Sequence, residues 1–155
     1  MKERIAGVKV KPLKVLPDER GRLFEILRRD EELFDRFGQA YVTTTYPGVV
    51  KAWHYHERQD DYFTCVRGMI KLVIYDGREG SPTRGALNEF VLGDHAMQLV
   101  VVPRLTWHGW KCIGEEEAMI LNLVTEPYDH KNPDEHRLAP HDNGVIPYDW
   151  TRRDG

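Results

Sequence analysis

Residues 9–124 are cut into short runs rich in valine, isoleucine, threonine, tyrosine and phenylalanine, and glycine, proline or aspartate closes almost every one. Met69–Tyr75 ends at Asp76-Gly77, and Gln39–Thr45 ends at Tyr46-Pro47-Gly48. β-Branched and aromatic residues suit a pleated surface, while turn residues at such close spacing leave little room for crossover helices. The combination predicts an all-β fold of antiparallel strands closed into a sandwich or barrel. Residues 22–27 read as one of these strands. Residues 30–37 are the one helix-like stretch: Asp30 can cap it, acids fill the first turn and Gly38 stops it. After Glu126 the texture changes. Pro127, Pro133, Pro140 and Pro147 forbid long regular elements, yet Tyr128, Ile146, Tyr148 and Trp150 give the segment apolar weight. Residues 126–155 are therefore expected as an irregular tail packed on a single domain spanning 1–155.

A formal net charge of -3 supplies no basic field for nucleic acid. No apolar run is long enough to span a membrane, and the opening Met-Lys-Glu-Arg-Ile-Ala-Gly lacks the apolar core of a signal peptide, so a cytoplasmic protein is expected. Cys65 and Cys112 sit in apolar runs and read as free, packed thiols. The histidines are more informative. His54 and His56 stand two apart in a β-type run, so both point to one face, and Asp61 follows. Two imidazoles with a carboxylate form a metal-ligand set. They are equally the parts of an acid/base pocket. The residues alone leave both readings open. His130, His136 and His141, with Asp129, Asp134 and Asp142, fit no rigid element and read as a solvated tail.

The spacing Gly48-x5-His54-x-His56-x4-Asp61-x6-Gly68 resembles the first cupin motif, and Pro103-Arg-Leu-Thr-Trp-His108 resembles the second, with Leu105 where glycine is usual. The resemblance implies a jelly-roll barrel whose pocket holds a divalent metal on His54, His56, Asp61 and His108; Fe, Mn, Ni and Zn all suit such ligands, with Asp60 or Glu57 as substitutes for a short Asp61. A narrower resemblance runs along most of the chain. Asp18-Glu-Arg-Gly-Arg-Leu-Phe-Glu25, Lys51-Ala-Trp-His-Tyr55, the loop from Asp76 to Gly85 containing Arg78-Glu-Gly-Ser-Pro-Thr83, Trp107-His-Gly-Trp110 and the tyrosine-rich tail resemble, in order, pieces of the dTDP-4-dehydrorhamnose 3,5-epimerase family.

That resemblance implies roles. His54 falls on the base that removes protons next to a 4-keto group. Arg20 and Lys51 fall on contacts to a nucleotide diphosphate, Gln39, His108 and Tyr128 on the sugar pocket. It also marks departures. Asn122 stands where the family has its general-acid tyrosine, and Asp61 where it has a pocket lysine. The aspartate that orients the base, expected beyond Trp150, is absent or replaced. Tyr128 is the remaining catalytic candidate beside His54, and Asn122 is retained as a substrate contact. If His54 ligates a metal it has no lone pair left to act as base, and Tyr128 or His95 would have to serve. The expected function is epimerase or isomerase chemistry on a nucleotide-linked 4-keto-deoxysugar for polysaccharide precursor synthesis, by a homodimer. The alternatives are a metal-dependent cupin enzyme on another small substrate and a non-catalytic cupin that binds a sugar nucleotide.

Overall fold

A computed structural model describes residues 3–155; Met1 and Lys2, part of the segment read above for a signal peptide, lie outside the described residues. Twelve strands follow one another: β1 (Lys9–Pro12), β2 (Leu16–Asp18), β3 (Gly21–Leu23), β4 (Gln39–Thr45), β5 (Val50–Tyr55), β6 (Asp61–Arg67), β7 (Met69–Tyr75), β8 (Leu87–Gly93), β9 (Gln98–Val102), β10 (Trp107–Cys112), β11 (Ala118–Val124) and β12 (His136–Arg137). Two five-stranded sheets form, in the orders β1-β9-β6-β11-β4 and β12-β5-β10-β7-β8, with β2-β3 as a separate hairpin. Every pairing is antiparallel. This is the expected all-β jelly-roll class.

The two sheets meet over Phe63 and Cys65 of β6, Ile70, Leu72 and Ile74 of β7, Val100 and Val102 of β9, and Ile120 of β11, all buried. Alternation sets this face: along β11 Ala118, Ile120, Asn122 and Val124 point inward while Met119, Leu121 and Leu123 do not. Met119-Ile-Leu121 is therefore buried on one face only, whereas Val100-Val-Val102 is buried on both. The outer face of the first sheet is covered by Phe24, Ile26, Leu27 and Leu33. The outer face of the second is covered by the tail, whose Ile146, Tyr148 and Trp150 close over Trp53 and Val73. Cys65 and Cys112 are free and buried. Arg78 clamps its own loop by donating to both oxygens of Asp76 and to the Ala6 carbonyl.

Two expectations are corrected. Residues 30–33 form turns and a bend and residues 34–37 are irregular, and among the described residues no helix forms, so none is long and apolar enough to cross a membrane. An isolated two-turn helix is marginal because nucleation is costly, and here its would-be signals are spent elsewhere: Asp30 pairs with Arg28, and Glu31 binds Lys11 and the Arg28 N–H. The strand expected over 22–27 stops at Leu23, because Phe24, Ile26 and Leu27 leave the hairpin to cap the first sheet.

Candidate active site

A cavity of about 550 Å³ opens between the sheets, walled by Tyr41 and Thr43 of β4 on one side and by Lys51, His54, His108 and Trp110 of β5 and β10 on the other. β5 and β10 set His54 opposite His108 in register. Gly109 makes that approach feasible, since a Cβ there would overlap Ala52. Trp110 stacks on the His54 ring, with centroids 5.6 Å apart at 23°, and is itself pinned by a 2.9 Å bond from its Nε1 to Thr45 Oγ1. Leu105, in the place where cupins use glycine, has φ 65°, a left-handed conformation that costs a branched side chain energy. Its N–H donates to the His56 carbonyl at 2.7 Å, tying the two motif segments together.

The tail completes the wall. β12 adds to the edge of β5, setting Arg137 opposite His54, and the Asp134 carboxylate accepts the N–H groups of Glu57 and Arg58 at 2.8 Å each. Glu135 is thereby laid against His54, with Nδ1 and Oε1 3.3 Å apart. An Nδ1–H donated to that carboxylate leaves Nε2 as the bare lone pair. Nε2 is buried and has no partner among the described residues. Burial lowers the His54 pKa below the ordinary imidazole value, while Glu135 pulls it back up in part. Burial thus favours the neutral form of His54.

Asp61, His56 and His108 form a second group. Asp61 is 1% exposed, and its Oδ2 lies 3.4 Å from His56 Nε2 and 3.2 Å from His108 Nε2. Gln59 donates to its other oxygen at 2.8 Å. His56 Nδ1 is held by the Asp134 carbonyl, which turns Nε2 towards Asp61. Burial raises Asp61 above the usual carboxylate range, against the pull of His56, and drops His108 well below the usual imidazole value. Each Nε2 can meet that carboxylate oxygen either by donating an N–H to it or through a cation held among the three groups. The three ligand atoms lie within 4.8 Å of one another, which suits a three-residue metal set with an open side. His54 is outside it. The four-ligand set read from the motif is thus divided, because the Glu135 carboxylate claims His54.

The other anticipated residues are spread more widely. Lys51 lines the cavity, with Nζ bonded to Thr43 Oγ1 at 3.1 Å and to the Thr44 carbonyl at 2.6 Å. Gln39 and Tyr128 line an adjoining chamber of about 250 Å³, which shares Tyr41, His56 and Glu135 with the first; Gln39 Oε1 accepts the Tyr128 N–H at 2.8 Å. Tyr128 is thus not brought beside His54. Asn122 is fully buried behind Tyr41, not on the cavity wall. Arg20 is paired with Asp18 on the exposed β2–β3 hairpin and reaches neither chamber. His95, on the turn after β8, also lies outside both.

Three ionisable cavity residues escaped the sequence reading: Tyr41, Glu135 and Arg137. Tyr41 had a signal, since it stands two residues after Gln39 on one strand and shares its face. Burial pushes its phenol pKa up, with the Asp61 charge adding to it. Glu135 and Arg137 had none, because a two-residue strand in a proline-rich tail leaves no periodicity.

This architecture has close counterparts. A dTDP sugar isomerase from Desulfovibrio desulfuricans superposes with a TM-score of 0.89 at 33% identity, covering 97% of this chain and 94% of that one. A probable low-salt glycan biosynthesis epimerase of Haloferax volcanii is 46% identical over 149 residues, 95% of each chain. A spore coat polysaccharide biosynthesis protein of Bacillus subtilis is 40% identical, covering 95% of this chain and 97% of its own length. The sequence pattern described as dTDP-4-dehydrorhamnose 3,5-epimerase matches residues 2–153, nearly every position from the first hairpin to the tail that carries Glu135, so the chain belongs to that family.

Proposed function

We propose that this protein is an epimerase that inverts a carbon next to the keto group of a dTDP-linked 4-keto-6-deoxyhexose, in the synthesis of a glycan or polysaccharide precursor. His54 carries the reading: a buried imidazole on the cavity wall, held at Nδ1 by Glu135, whose Nε2 has no hydrogen-bond partner among the described residues. Nε2 takes the proton from C3 or C5, the electron pair moves to the 4-keto oxygen, and Glu135 stabilises the imidazolium as it forms. Lys51 and Arg137 supply positive charge on the same walls for the diphosphate. The family pattern and the names of the relatives point the same way. We assign the working form as a cytoplasmic homodimer: Leu16 and Leu23 are 49% and 60% exposed on the hairpin that bears Arg20, and a second copy would cover them.

The His56–Asp61–His108 geometry favours a second reading of the cofactor question, in which these three residues hold one divalent cation. Bound there, such an ion supplies Lewis-acid polarisation. It does not compete for His54, so metal binding and a His54 base coexist.

The test is incubation with dTDP-4-keto-6-deoxy-D-glucose, followed by NMR. The C3 or C5 epimer is expected. Tight binding with neither epimer nor solvent exchange would refute the reading in favour of a non-catalytic sugar-nucleotide binder. For the metal, protein purified without chelator is analysed directly: stoichiometric Fe, Mn, Ni or Zn that disappears in His56→Ala supports the cation, and fully active metal-free protein removes it.

A further inference from the structure

Inversion at carbon needs a proton to leave one face of the sugar and another to arrive on the opposite face. His54 stands on β5, in one sheet. On the facing wall, β4 of the other sheet presents Tyr41 to the same cavity. Behind Tyr41, directly opposite in register on β11, lies Asn122. The Asn122 amide has only one workable orientation, because its Oδ1 accepts the Tyr62 N–H at 3.1 Å. Its Nδ2 is therefore the group 2.8 Å from Tyr41 Oη, and it donates to that oxygen. Oη keeps its own proton, and no acceptor for that proton exists among the described residues. Tyr41 is 37% exposed, with the open part of the residue lining the two chambers.

We propose that Tyr41 is a catalytic residue, the acid that delivers a proton to the sugar carbon on the face opposite His54. This rests on the reading of His54 as the base. In the first half-step the C–H bond breaks, the proton passes to His54 Nε2 and the electron pair forms the enolate. In the second, the Tyr41 O–H bond breaks as a new C–H bond forms on the other face, leaving a phenolate that the Asn122 N–H stabilises. His54 then loses a proton to solvent and Tyr41 regains one, so no proton is consumed. Asn122, which has no acidic proton, acts as a positioning residue through Tyr41. Tyr128 is the one other tyrosine among the described residues that lines either chamber, and it sits in the smaller chamber, away from His54.

The experiment compares wild type, Tyr41→Phe and Tyr46→Phe, an exposed tyrosine outside both chambers, in deuterated water with dTDP-4-keto-6-deoxy-D-glucose. NMR reads two rates on each: deuterium incorporation at the reacting carbon and formation of the inverted sugar. Tyr41→Phe keeps the ring at a partly open position, and its melting temperature confirms the fold. In this variant inversion is expected to fall about 100-fold or more, while incorporation stays within about 3-fold of wild type, because His54 still returns deuterium to the face it took the proton from. Tyr46→Phe should keep both rates. Wild-type inversion by Tyr41→Phe, or equal loss of both rates, overturns the assignment while leaving the epimerase reading in place. A wild type that incorporates no deuterium overturns the epimerase reading, and this inference with it.

Discussion

Replacing Glu135 by Gln removes one charge from beside His54 and little else. The carboxylate lies 3.3 Å from Nδ1, and a full charge pair at that distance is worth about 5 kcal/mol at an effective dielectric of about 20. Arg137 shares the same Oε1 at 2.9 Å and offsets part of that field. Allowing for it leaves about 2–3 kcal/mol. The neutral ground-state imidazole feels little of this interaction, which grows as His54 takes the proton, so nearly all of it appears in the barrier. The expected loss is about 30- to 150-fold in the rate of deuterium incorporation, measured by NMR on the dTDP-linked 4-keto sugar. KM should stay within about 3-fold, since the charge acts on the base and not on the bound substrate. The acid limb of the pH profile should also move down, because Glu135 is the group that raises His54. A folded Glu135→Gln protein exchanging within about 3-fold of wild type would refute the orienting role and remove the reason for a tailored base at His54.

The pH profile of the wild type is a second test. Burial holds His54 below its ordinary value of 6.5, so the neutral, active form persists to lower pH, and the acid limb of kcat/KM should fall below 6.5; a limb at or above it would contradict a buried base. Asp76→Ala should destabilise the fold by about 3–5 kcal/mol in urea titrations, since it strands the Arg78 guanidinium and the Ser81 and Thr83 hydroxyls. Burial alone would raise the Asp76 pKa, but those hydrogen bonds hold it well below 3.8. Its stabilisation is therefore complete above that pH and is lost as pH falls below it, so the gap between wild type and Asp76→Ala should narrow in acid. A gap that widens there would mean the carboxylate is not the stabilising form. Removing the Arg20 side chain should raise KM with kcat unchanged if a second copy carries it to the substrate; identical KM would argue against that assembly.

Much of the fold was legible because alternation and turn chemistry agree along β4 to β9 and β11. β10 was not read as a strand, since Trp107–Cys112 mixes histidine, glycine and lysine and breaks the apolar alternation. Residues 30–37 looked helical from caps and acids alone, and tertiary partners for Glu31 and Leu33 overrode them. In the site, His54, His56, Asp61 and His108 were visible through strand period and motif spacing. Their division into a base and a separate cluster was not, because it turns on which ring nitrogen faces which carboxylate. Glu135 reaches His54 across 81 residues of chain, through a strand too short to carry any pattern. Asn122 read as a lost acid until its hydrogen bond to Tyr41 showed a phenol one strand away.

The central claim is that His54, and not the neighbouring His56–Asp61–His108 group, removes a proton next to the keto carbon. Deuterium incorporation from solvent by His54→Asn and His56→Ala, each set against wild type on the dTDP-linked 4-keto-6-deoxyhexose, tests it directly. His54→Asn should lose incorporation by about 100-fold or more, as expected when a positioned base is removed, while His56→Ala retains measurable exchange. Incorporation by His54→Asn within about 3-fold of wild type would contradict the account.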